Sequence, residues 1–83
     1  MSANSSTTEY VTFHHPFLLE GLETPHKPGR FEVRTDREAL DLSWPAFRLT
    51  VTIMLTGGGR TEALEVKRDA LDAALARDAQ IAD

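Results

Sequence analysis

Ten residues from Phe47 to Thr56 alternate without a break. Phe47, Leu49, Val51, Ile53 and Leu55 interleave with Arg48, Thr50, Thr52, Met54 and Thr56. Successive side chains on a strand point to opposite faces, so this run predicts a strand with one buried face and one largely solvated face. Val51 and Ile53 are expected in the core, with Thr50 and Thr52 pointing outward as a solvated threonine row that Thr56 continues. Thr56-Gly57-Gly58-Gly59-Arg60 reads as a turn. Thr61 to Val66 then returns with Leu64 and Val66 on a common face, which makes a β-hairpin.

A weaker version of the same pattern lies upstream. Val11 and Phe13 alternate with Tyr10, Thr12 and His14, and Pro16 interrupts the run because proline cannot donate to a sheet ladder. Phe17 and Leu19 resume the period of two, either as a bulged continuation or as a second short strand. Glu20 to Gly29 is loop-like, with Pro28-Gly29 suited to a tight turn. Arg30 to Thr35 predicts another strand. Thr35-Asp36-Arg37-Glu38 matches a capping box, which predicts a short helix through about Leu42.

The period changes after Val66. Asp69 is placed to cap a helix, Asp72 adds a carboxylate near its positive end, and Leu71, Ala74, Leu75 and Ala79 form a narrow apolar stripe. Six alanines between Ala70 and Ala82 raise helix propensity. So short a helix is marginal alone and is expected to dock on the sheet. These elements predict an α+β fold. It has about four antiparallel strands in an open sheet or small half-barrel, a C-terminal helix, and a short helix in the middle. Met1 to Thr8 are small and polar, and are expected to be a disordered tail before a single domain from residue 9 to residue 83.

Size and composition narrow the functions open to such a domain. The chain has 83 residues, enough for one domain with a small core. Cysteine is absent. That excludes disulfides, thiolate catalysis and cysteine-ligated metals, and favours a reducing, cytoplasmic setting. The formal net charge is −4. Nine Lys and Arg are scattered among thirteen Asp and Glu, which disfavours nucleic acid and anionic membranes as partners. The N-terminal stretch lacks the basic start and apolar run of a signal peptide.

Pro16 to Gly21 reads P-F-x-L-x-G, and Pro28 to Asp36 reads P-G-x-F-x-V-x-T-D. This pair of motifs resembles a group of short bacterial proteins of uncharacterised activity. The resemblance covers about a third of the chain. It implies a bacterial source and no particular activity.

Candidate chemistry is sparse. His14, His15 and His26 fall within a short stretch, and a turn could bring His26 near one of the others, with Glu20 and Glu23 completing a metal site. His14 and His15 are chain neighbours, so on a strand they face opposite ways. The spacing matches no structural zinc motif. Gly57-Gly58-Gly59-Arg60-Thr61 precedes a strand and lacks the lysine of a phosphate loop, so a hairpin turn explains it better. Ser43 has no glycine elbow around it. Asp36 with Glu38, and Asp69 with Asp72, are explained by helix capping. Trp44 reads as a core-edge residue, with an exposed binding aromatic as the alternative.

The leading reading is a small non-enzymatic binding or protein-interaction domain without a cofactor, with a protein, a small ligand or a second copy of itself left open as its partner. The competing reading is a small metal-binding protein or enzyme built on the histidines. If the loop from His14 to Gly29 and the segment around Trp44 met at one end of the sheet, then His14, His15, Phe17, His26, Lys27 and Trp44 would form a concave ligand patch.

Overall fold

The computed structural model of the chain describes residues 5–40, 43–44 and 46–81. Four strands, β1 (Ser5–Phe13), β2 (Gly29–Leu40), β3 (Ala46–Gly57) and β4 (Arg60–Val66), precede one helix, α1 (Arg68–Gln80). The strands form an antiparallel sheet in the order β1-β2-β3-β4. The sheet is therefore open, with β1 and β4 as its edges.

The alternation in β3 works as its pattern predicts where the sheet is covered. Val51, Ile53 and Leu55 are buried with Phe31 and Val33 of β2 and Phe13 of β1. Thr50 and Thr52 on the other face are half-buried, and Thr56 is exposed. Leu71 and Ala74 of α1, together with Phe17 and Leu19 of the β1–β2 loop, close the core. Phe13 and Phe17 stack with centroids 3.8 Å apart, and Phe31 meets Phe17 edge-on. Gly21 allows the loop to lie close over β4. Its φ is +100°, and a Cβ there would sit 2.9 Å from Leu64 Cδ1. Gly58 and Gly59 both have positive φ, which suits a two-residue hairpin loop between Gly57 and Arg60.

Three expectations from sequence are corrected. Ser5 to Thr8, expected in a disordered tail, belong instead to β1 and pair with Arg34 to Arg37 of β2, while residues 1–4 lie outside the described residues. Among the described residues the middle helix does not form, because Thr35 to Leu40 continue β2. Its remaining residues, Asp41 and Leu42, lie outside the described residues. A capping box is a local signal worth about 1 kcal/mol, and a helix this short is marginal. Here the competing strand is laddered on both sides, to β1 through Arg37 and to β3 through Leu40. Finally, Lys67 rather than Asp69 occupies the N-cap of α1, with no side-chain cap bond, and Asp69 sits in the first turn. The buried stripe is Leu71, Ala74 and Asp78, with Leu75 beside it and Ala79 exposed.

Candidate interaction surface

Asp78 closes the apolar stripe of α1, seven residues after Leu71. A carboxylate in the last turns of a helix opposes the helix dipole, so its burial needs donors. The structure provides three. The backbone N–H of His14 donates to Oδ2 at 2.9 Å, and that of His15 donates to Oδ1 at 2.9 Å. His15 Nδ1 lies 3.0 Å from Oδ1. The His14 N–H bond is the largest of the effects that hold the Asp78 carboxyl below its ordinary pKa, and the side-chain and backbone bonds from His15 add to it. At the other end of α1, Arg68 pairs with Glu9 of β1 and with Asp72. The helix is thus held alongside β1 at both ends.

A pKa depressed in the folded state stabilises the fold above the ordinary carboxylate range, and that stability is lost as pH falls through the folded pKa. Asp78→Asn is expected to melt well below the parent at neutral pH, and the gap should narrow in acid. Asp72→Asn, at an exposed position, should show little of either effect. Thermal melts across the acid range check this. A gap independent of pH would mean that the carboxylate charge is not what the histidine amides hold.

Phe17 and His26 of the loop are likewise committed to structure. Phe17 is buried and exchanges both backbone hydrogen bonds with His26, at 3.1 and 2.8 Å. The His26 ring packs against Phe17 and Phe31, with centroids 5.5 and 5.2 Å away. Its Nδ1–H donates to the Lys27 carbonyl at 2.9 Å. His14 and Lys27 are exposed, while the His15 side chain is turned to Asp78. Among the described residues no group of three or more His, Asp or Glu side chains is arranged to hold a metal ion.

Trp44 does not join this loop, so the concave patch expected from sequence is not assembled. The His14–Gly29 loop lies at the Gly29 end of β2, and Trp44 follows the Leu40 end. At about 3.3 Å per residue, a strand of this length separates the two by roughly 35–40 Å. The neighbour of the loop is instead the β3–β4 turn, where a Cβ on Gly57 would lie 3.7 Å from His26 Nε2. Nor is Trp44 a core-edge residue: it is 62% exposed.

The unoccupied surface lies toward Trp44. Phe47 and Leu49 share the face of Val51 and Ile53, yet they are 48% and 64% exposed. A thirteen-residue helix spans about 20 Å, while β2 and β3 run for about 40 Å, so α1 covers only half of their length. β4 also stops early, at the Val66–Val51 pair. Beyond it, β3 runs on with β2 to the Leu40–Ala46 pair, an arm of the β2–β3 ladder that neither α1 nor β4 reaches. The Arg37 guanidinium lies 3.7 Å over the Phe47 ring, a contact worth about 0.5–1 kcal/mol where exposed. At the root of the arm a groove of about 900 Å³ is floored by Thr35, Leu49, Val51, Leu64 and Val66, with Glu20, Lys67 and Asp69 beside it.

No protein-family model, curated protein or solved structure matches the chain.

Proposed function

We propose that this chain is a small protein-interaction domain that works by binding rather than catalysis, through the apolar face of its β2–β3 arm. The observation that supports this is the continuation of one apolar face past the end of its cover. Phe47 and Leu49 follow Val51, Ile53 and Leu55 on the same side of β3 but remain open to solvent. Soluble chains seldom leave such a face bare unless something binds it. Its composition, with the Arg37 guanidinium over the exposed Phe47 ring, is that of interface centres, where aromatics and arginine are enriched. No helix among the described residues is long and apolar enough to cross a membrane. We take the compartment to be a bacterial cytoplasm, a choice supported by the cysteine-free sequence and by the resemblance carried by its motifs.

The test follows amide chemical shifts of the full chain, first as its own concentration is raised and then as fractionated bacterial extract is added. Shifts should gather at Arg37 to Leu40 and Ala46 to Leu49, and Leu49→Asp should remove them without changing the melting temperature. Shifts confined to His14–Gly29 would overturn the assignment to the arm. Stoichiometric zinc uptake reported by the histidine ring signals would favour a metal-binding protein instead.

A further inference from the structure

We propose that the occupant of the arm is a second copy of this chain, with each arm lying in the groove of the other about a two-fold axis; this rests on the arm being an interaction surface. Three observations lead to it. First, the arm and the groove adjoin on one face, sharing Leu49, so a single two-fold operation satisfies both at once. An isologous interface has that property: what one copy offers, the other receives.

Second, the areas call for reciprocity. A whole aromatic side chain offers about 150–250 Å², so the exposed fractions of Trp44 and Phe47, 62% and 48%, leave roughly 170–270 Å². One arm alone falls well short of the about 800 Å² per partner of a stable interface. In an isologous interface the arm and the groove of each copy are both used, so two such contacts are buried in place of one.

Third, the charges are complementary. Arg37 is the cation on the covered side of the arm, opposite Leu49 in the ladder, while Arg48 pairs with Glu38 on the other side. The charged residues lining the groove are Glu20, Glu65, Asp69, Lys67 and Arg68, and Arg68 is already engaged by Glu9 and Asp72. The carboxylates therefore prevail there. Arg37 of an incoming arm meets them as its Phe47 and Leu49 cover Val51 and Val66.

Sedimentation velocity on the full chain tests the arrangement. The parent should reach a dimer as concentration rises, with Leu49→Asp about ten-fold or more weaker and an unchanged circular dichroism spectrum. Arg37→Glu alone should be a monomer, as should the double variant Glu20→Lys with Asp69→Lys. Mixed in equal amounts, these two should recover the dimer, because each arm then meets a groove of opposite sign. Failure of the mixture to recover it would overturn the reciprocal arrangement. A parent that stays monomeric, while its arm signals shift with another protein, would overturn the second copy as occupant and leave the interaction reading standing. A dimer indifferent to Leu49→Asp and Arg37→Glu, with no arm shifts from any source, would overturn both.

Discussion

Ile53→Asp is expected to abolish cooperative unfolding, whereas Thr52→Lys, one residue away, should shift stability by about 0.5 kcal/mol. Ile53 is fully buried and lies between Val33 of β2 and Leu64 of β4 in the ladder. Replacing it forfeits about 1.5–3 kcal/mol of apolar burial. Placing an unpaired carboxylate there costs several kcal/mol more, even after it takes up a proton. A chain of 83 residues at 0.05–0.15 kcal/mol per residue has roughly 4–12 kcal/mol in all. The substitution therefore removes most or all of the margin. Thr52 is only half-buried and on the opposite face, so a lysine can carry its amine to water. Urea titrations followed by circular dichroism should show no sigmoidal transition for Ile53→Asp and a nearly unchanged midpoint for Thr52→Lys. The reverse order would mean that the facing of β3 is wrong.

That facing was legible in the sequence because the period of a strand is a local property that burial on one side imprints residue by residue. The terminal helix was legible for the same reason. Thr35 to Glu38 shows where local reading stops: its capping signal is correct as chemistry, yet a ladder formed with residues far away in the chain outweighs it. The placement of Trp44 was missed for a topological reason. In an antiparallel meander consecutive connections alternate between the two ends of the sheet. The β1–β2 and β3–β4 connections must therefore share an end, and the β2–β3 connection must lie at the other. Four successive strands already imply this, so His14–Gly29 belongs with Gly57–Arg60 and away from Trp44. Asp78 left a different trace, as the one charged residue at the spacing of Leu71, Ala74 and Leu75. An acid there, near the negative end of a helix, requires donors from elsewhere. Which donors was not legible, because the amides of His14 and His15 reach it only through tertiary docking. The exposure of Phe47 and Leu49 rests on a comparison of lengths, since a helix rises less than half as far per residue as a strand.

Truncation after Val66 is expected to leave a chain that does not hold the sheet in water. Removing α1 takes away Leu71 and Ala74, both essentially inaccessible, and the carboxylate that receives the amides of His14 and His15. It also uncovers Phe13, Phe31, Val33 and Ile53, which form one side of the core. The same apolar face would then be bare from the arm to the loop, far larger than the few hundred Å² that soluble monomers tolerate. Loss of Leu71 alone, as Leu71→Ala, should cost about 2–5 kcal/mol, a large part of the total. The truncated chain should therefore show a disordered circular dichroism spectrum or sediment as aggregates, and Leu71→Ala should stay folded with a clearly lowered midpoint. A truncated chain that remains folded and sediments as the parent does would show that the sheet is stabilised without its helix. In that case the division of β3 into a covered half and an open arm would lose its physical basis.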